Sequence, residues 1–393
     1  LAEAVIRLAG SGLTALPPLS LYVHLPWCVR KCPYCDFNSH ADRAFPESDY
    51  IDALLIDLER ALPEIWGRRI HTVFFGGGTP SLFSPQGIDR ILTGVRALTP
   101  LQPGAEITLE ANPGTVESAK FAGFREAGVT RVSLGIQSFN PRHLQALGRI
   151  HDDAEARRAA ELAANHFDTF NLDLMYALPG QTLAEALADV ETALSFQPPH
   201  LSAYHLTLEP NTPFGHTAPP NLPDDDAAAD MQLAIEARLH EAGMQHYETS
   251  AYARPHHASR HNRNYWQFGD YLGIGAGAHS KLSFQDRMLR QMRTKHPLQY
   301  MQAVKQGVHI ADIRTLTRDD LPFEFMMNAL RLSEGIPAAL FEERTGLPLC
   351  ACAAALEAAR TKGLLEADPS RLRPTPMGQR YLNDLLELFL PEP

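Results

Sequence analysis

The sequence lacks a long hydrophobic run. No stretch approaches the roughly 18 apolar residues of a membrane span; Tyr271–His279 and Leu386–Leu390 are too short. Residues 1–20 include Glu3 and Arg7 and no compact apolar core, so a secretion signal is not expected. Positive charge is also in deficit: 35 Lys plus Arg stand against 46 Asp plus Glu, a formal net charge of −11. That balance argues against a general phosphate-backbone binder, which needs a basic surface. Cysteine is scarce, and an odd total of five in a chain without a secretion signal does not make a disulfide framework. With 45% hydrophobic and 21% charged residues, the composition excludes wholesale disorder. The expectation is a soluble, cytoplasmic protein, and 393 residues suggest two or three domains.

What cysteine there is falls together. Cys28, Cys32 and Cys35 form a CxxxCxxC segment directly after a β-type run, Leu21–Leu25. A short loop of this kind can bend three thiolates around one metal centre, and thiolates favour iron–sulfur or zinc sites. Three ligands leave one coordination position open, which suits a centre that binds substrate. The competing reading is a structural zinc with His24, Asp36 or His40 as fourth ligand. Cys350 and Cys352, in an alanine-rich run, read as buried small hydrophobes.

Strand-like runs at Leu21–Leu25, Thr72–Phe75, Glu106–Leu109, Arg131–Leu134, Asp168–Leu174 and Leu201–Leu206 are each separated by a helical stretch, the first being Asp49–Trp66. This rhythm predicts an α/β fold with right-handed crossovers and a parallel sheet. Spacing alone leaves a barrel and a doubly wound sheet open, but both place ligands at the carboxyl ends of the strands. Polar or glycine-rich segments recur there: Gly76–Pro80 after the second strand, Glu110 after the third, Gln137 after the fourth and Asp173 in the fifth. Pro210, Pro213, Pro219, Pro220 and Pro223 then predict a connector. Helices are expected at Asp226–Ala242, His257–Gly269, Leu321–Leu332, Pro337–Thr345, Leu349–Lys362 and Met377–Leu390, with a small hairpin near Leu364–Pro374. The last part reads as a winged-helix-like module. Its Arg360, Lys362, Arg371, Arg373 and Arg380 are interspersed with Glu357, Glu366 and Asp368, so no nucleic acid is expected as a partner.

CxxxCxxC after strand one, GGGTP after strand two, LEANP after strand three and GIQSF after strand four together resemble the radical S-adenosylmethionine superfamily. The resemblance is to the branch containing oxygen-independent coproporphyrinogen III oxidase and the HemW heme chaperones, and it runs from about Leu19 to Leu390. It implies a partial (β/α)6 barrel with a C-terminal, mostly helical module. The implied division is an N-terminal extension over 1–20, the barrel over 21–210, a connector and motif region over 211–310, and the C-terminal module over 311–393. It also implies a [4Fe-4S] cluster on Cys28, Cys32 and Cys35, with S-adenosylmethionine on the remaining iron. Tyr22, Tyr34, Gly77, Gly78, Thr79, Glu110, Gln137, Arg149 and Asp173 match nucleotide-site positions, some of which line a second S-adenosylmethionine site in the oxidases.

Two features separate the chaperone from the oxidase. The oxidases carry a fourth cysteine two residues after the triad, where this chain has Phe37; a phenylalanine supplies no thiol. His261-Asn262-Arg263-Asn264-Tyr265-Trp266 resembles the HNxxYW segment linked to heme binding in the HemW group, with His261, Tyr265 and Trp266 as the implied heme residues and His256, His257 and His279 as alternates. A histidine can ligate heme iron while aromatics cover the macrocycle, although most of 17 histidines will be caps or surface residues. The implied function is a chaperone that passes heme to acceptor proteins, including respiratory ones at a membrane, where it would be peripheral; an electron donor is implied if the cluster is reduced. The alternatives are porphyrinogen decarboxylation and, less favoured by the acidic balance, a tRNA-modifying radical enzyme.

Overall fold

The structure is a computed structural model describing residues 12–42 and 44–391. Glu3, Arg7 and the rest of the expected N-terminal extension up to residue 11 lie outside the described residues.

Six parallel strands come first: β1 (Leu19–Leu25), β2 (Ile70–Gly77), β3 (Leu101–Ala111), β4 (Arg131–Gln137), β5 (Thr169–Tyr176) and β6 (His200–His205). Each pairs with the next in chain order. Sequential order with intervening helices belongs to a (β/α) barrel, since a doubly wound sheet reverses direction at a switch point. The intervening helices bury one face and cap their starts. Pro85–Leu98 turns Ile88, Ile91, Leu92 and Val95 inward, and Ser84 accepts the Gly87 amide. Asp152 and Thr182 open the helices Asp153–His166 and Leu183–Ser195 with reciprocal capping boxes, a feature worth about 1 kcal/mol each.

Residues 211–310 do more than connect. After a short helix, Pro213–His216, and a longer one, Asp225–Glu241, the chain adds strands to both edges of the barrel sheet. β7 (Gln245–Glu248) and β8 (Ala251–Ala253) extend it beyond β6. On the other edge, β9 (Asp270–Ile274) lies parallel to β1, followed by antiparallel β10 (His279–Ser283), β11 (Met288–Arg293) and β12 (Ile310–Thr315). The twelve-stranded sheet runs β12-β11-β10-β9-β1-β2-β3-β4-β5-β6-β8-β7 and does not close on itself. Most of these short strands carry no period-2 alternation: Ala251–Ala253 is buried throughout and Ile310–Thr315 exposed throughout, so residue pattern does not announce them.

Buried charge anchors the added edge. Asp270 is ion-paired to Lys281 at 2.8 Å and to Arg68 at 2.8 Å, and accepts the Ser283 amide at 2.8 Å. Asp57, fully buried on the helix Glu47–Ala61, receives the Tyr300 hydroxyl at 2.8 Å and lies 3.0 Å from His309 and 3.4 Å from Arg293. Burial alone would raise its carboxyl pKa, but Arg293 and His309 hold it below the usual range. Removing one partner from such a cluster leaves an uncompensated buried charge.

The C-terminal module has its own core, in which Phe325, Phe341, Leu372 and Leu385 are fully buried and meet Phe268 and Ala251 from the strand-extension region. The hairpin is smaller than expected: Ile336–Pro337 pairs with Arg371–Leu372, and Leu365 bridges Pro374. Two long helical expectations break. Leu349–Cys352 is a 3-10 turn before the helix Ala353–Thr361, and Met377–Leu390 is divided at Tyr381 into Pro376–Arg380 and Leu382–Glu387. The tighter 3-10 turn also separates the two late cysteines: Cys352 is buried, whereas Cys350 is exposed rather than the expected buried hydrophobe.

Candidate functional site at the carboxyl ends of the strands

The cysteine loop leaves β1 through buried Trp27, which is wedged between Phe45 and Tyr50. It is tied at its base where Trp27 and Cys28 pair with His40 and Ala41. The loop is therefore held at both ends while its middle faces the barrel mouth. None of the three thiols is in a disulfide. Two already accept hydrogen bonds: Cys28 from the Thr79 hydroxyl at 3.5 Å and Cys32 from the Arg149 guanidinium at 3.6 Å. Arg149 also donates to the Tyr34 hydroxyl at 3.4 Å and the Gly135 carbonyl at 2.6 Å. Three thiols outside any disulfide, two of them with donors aimed at their sulfurs, form a donor set that fits an iron–sulfur cluster. His24, one of the alternative zinc ligands, has both ring nitrogens engaged, with Tyr22 at 3.0 Å and the Asn38 carbonyl at 2.8 Å.

The glycine turn after β2 permits close approach. Gly77 has φ +114, and a Cβ there would lie 2.5 Å from the His24 ring; a Cβ on Gly78 would lie 2.5 Å from the Trp27 carbonyl oxygen. The turn thus packs directly on the cysteine loop, and the Gly78 and Thr79 amides bond to the Leu25 and Trp27 carbonyls at 2.9 and 2.8 Å.

A cavity of about 440 Å³ opens here, lined by all three cysteines together with Tyr34, Gly78, Thr79, Glu110, Gln137, Arg149 and Asp173. Tyr22 and Gly77 do not line it. Tyr22 points its hydroxyl at His24, and the Gly77 amide supports Glu110 from behind at 3.3 Å. Gln137 follows a register shift in β4 and has φ +69, so the bulge re-aims its side chain. Burial, and then the nearby Asp173 carboxylate, push Glu110 up to about 8. Burial also raises Asp173, against hydrogen bonds from Asn171 and Ser133.

Sequence reasoning missed a further tier of residues that lines this cavity from the strand interiors up to the carboxyl ends. Arg131 and Ser133 on β4, Asn171 and Met175 on β5, and His200, Ser202 and Tyr204 on β6 line the same cavity. They recur at every second position, the period by which alternate strand residues face one side. That alternation was the available signal. Within the tier, Ser133 and Asn171 donate to Asp173 at 3.0 and 2.7 Å, and His200 donates to Asn171 at 2.6 Å. His200 in turn accepts the Tyr247 hydroxyl at 2.9 Å.

The HNxxYW segment lies on the helix Arg260–Trp266, shorter than expected and capped by Ser259. It sits at the opposite, amino end of the strands. Glu106, at the start of the parallel stretch of β3, accepts the amides of Arg260 and His261 at 3.0 Å each. His261 is only 2% exposed. The Thr72 hydroxyl donates to Ser20, so His261 Nδ1 donates to Thr72 at 2.8 Å, and the ring stacks on Phe74. Its Nε2 is buried without a partner, and burial lowers its pKa to about 3. Tyr265 meets Tyr271 in a tilted ring contact, and Arg331 lies over the Trp266 ring. Among the alternates, His257 lies 3.5 Å from the Thr169 hydroxyl, while His256 is exposed with φ +70.

Residues 22–193 match the Radical SAM superfamily and residues 316–381 the HemN C-terminal domain. The chain is 50% identical over 383 residues to the heme chaperone HemW of Escherichia coli, covering 97% of this chain and 100% of that protein. It is 49% identical to the heme chaperone HemW of Haemophilus influenzae, covering 96% and 99%. It is 31% identical to that of Bacillus subtilis, covering 95% and 99%. Among solved structures, coproporphyrinogen III oxidase (HemN) from Escherichia coli superposes with a TM-score of 0.81 over 95% of this chain and 90% of that one, at 24% identity. That likeness establishes the fold.

Proposed function

The chain belongs to the HemW family of heme chaperones within the radical S-adenosylmethionine superfamily, and from that premise we propose that it binds heme and passes it to acceptor proteins. Cys28, Cys32 and Cys35 hold a [4Fe-4S] cluster, with Thr79 and Arg149 donating to two of the cysteine sulfurs. A bound cluster would offer one-electron chemistry at this mouth, given an external electron donor to reduce it. Glu110 takes the cofactor's amine or ribose hydroxyls, and Gln137 and Asp173 complete the polar wall.

The observation that carries chaperone over oxidase is Phe37. It lines the cluster cavity and is 58% exposed to it and to solvent, at the position where the oxidases carry a thiol. Among the described residues no helix is long and apolar enough to cross a membrane. Delivery from a peripheral position to a membrane-bound respiratory acceptor is part of the same proposal.

The test is anaerobic turnover of cluster-loaded protein with coproporphyrinogen III, S-adenosylmethionine and a reductant, alongside heme titration. The expected result is heme binding with no decarboxylated porphyrin. Product in stoichiometric excess over protein would establish the oxidase instead.

A further inference from the structure

At the amino ends of the strands lies a second cavity, of about 730 Å³. Its walls come from the starts of β1 and β2, from the helix Arg260–Trp266 and from the turn Leu332–Pro337 of the C-terminal module. The short helix is the partition between the two cavities. Asn262 reaches the first, Arg260, Arg263 and Asn264 line the second, and His261 lies within the wall and lines neither.

The second cavity gathers positive charge in a chain whose net charge is −11. Arg254, Arg260, Arg263 and Arg371 line it against a single carboxylate, Glu334. Arg260 and Arg371 are anchored on backbone carbonyls, to Gly104 at 2.9 Å and Glu334 at 2.7 Å. Arg254 and Arg263 are exposed, and their side chains have no hydrogen bond or ion pair among the described residues. Two imidazoles, His71 and His256, also line it without ring partners among those residues, and His256 is held in the left-handed region at φ +70. Leu332, Ile336 and Ala253 add an apolar wall. Unpaired guanidinium groups take carboxylates, free imidazoles take iron, and apolar walls take a flat ring.

We propose that this second cavity is the cargo pocket. Heme seats its ring against the apolar wall, its two carboxylates on Arg254 and Arg263, and its iron on the imidazole of His71 or His256. His261 is then a positioning residue that locks the partition helix onto Thr72 and Phe74. The inference rests on the heme-binding reading and names where that binding occurs.

The experiment is a heme titration of the cluster-loaded full chain, followed by the Soret band, with heme dimethyl ester as a ligand lacking the charged carboxylates. An Arg254→Gln/Arg263→Gln variant is expected to bind heme tenfold or more weakly. It should bind the diester within about threefold of the unaltered chain. His71→Gln/His256→Gln is expected to shift the Soret band. Both pairs are at the surface of the cavity, so cluster iron content should be unchanged, which checks folding. Undiminished heme affinity in the arginine variant, or a Soret shift confined to His261→Gln, would overturn the assignment while leaving heme binding intact. Absence of heme binding by the unaltered chain would instead sink the chaperone reading, and this assignment with it.

Discussion

The two ends of the barrel are built differently. At the carboxyl ends, the cysteine loop and the glycine turn, each directly following its strand, converge with the strand-end side chains of β3 and β4 on one cavity holding three thiols and two carboxylates. At the amino ends, the walls come from segments far apart in sequence, and the cavity is rich in arginine. A site made of strand-end loops can be written as short local motifs. A site made by docking one region against another cannot, because its residues share no window of sequence.

The ends also communicate through a polar ladder: Asp173, Asn171, His200 and Tyr247 are hydrogen-bonded in series, and Asp173 lines one cavity while Tyr247 lines the other. Such networks are costly when only partly satisfied.

The largest expected effect separates the ends completely. Cys32→Ala should abolish cluster iron and sulfide after anaerobic reconstitution, yet change heme affinity by less than about threefold, since the cargo pocket shares no ligand with the cluster. Full cluster content in this variant would refute the triad; a matching collapse of heme binding would mean that the two cavities act as one site.

Smaller, but directed at both ends, is Asn171→Leu. It removes the central rung and leaves Asp173 and His200 short of partners, for about 2–3 kcal/mol of stability by urea unfolding. A loss below about 0.5 kcal/mol would show that the ladder is not a structural link.

The smallest effect concerns only the upper end. With Glu110 held near 8, against 4.5 for an ordinary glutamate, the folded chain keeps a proton that the unfolded chain releases. The corresponding stability is fully present below about pH 4.5 and is lost as the pH rises to about 8. A cationic ligand needs the ionised form. S-adenosylmethionine affinity should therefore rise roughly three- to tenfold per pH unit between pH 6 and 8, with proton release. Calorimetry in buffers of different ionisation enthalpy checks this, and Glu110→Gln should flatten the profile.

Much of the upper site was legible. CxxxCxxC and GGGTP sit where the strand rhythm places loops, and Tyr34, Thr79, Gln137 and Arg149 do line the cavity with the cysteines. Tyr22 and Gly77 match motif positions but do not line the cavity: Tyr22 turns its hydroxyl to His24 and Gly77 packs against the His24 ring, which only the close packing of loop on turn reveals. The inward ladder on β4, β5 and β6 carried a readable period-2 signal, although no motif drew attention to it. The HNxxYW histidine shows the limit of motif reading: its position was evident, its burial was not, because Glu106, Thr72 and Phe74 come from strands distant in sequence.

By itself, the sequence determined the barrel's order of strands and helices, the cysteine triad and the absence of a thiol at position 37, because each is written in a local pattern of residue type and spacing. Tertiary structure alone decided that residues 245–315 complete the sheet on both edges, and that a seven-residue helix divides the lumen from an arginine-lined cavity. Those outcomes depend on which distant surfaces bury one another. Hydrophobic burial and buried ion pairs such as Asp270–Lys281 select that docking through three-dimensional complementarity, to which no short stretch of sequence corresponds.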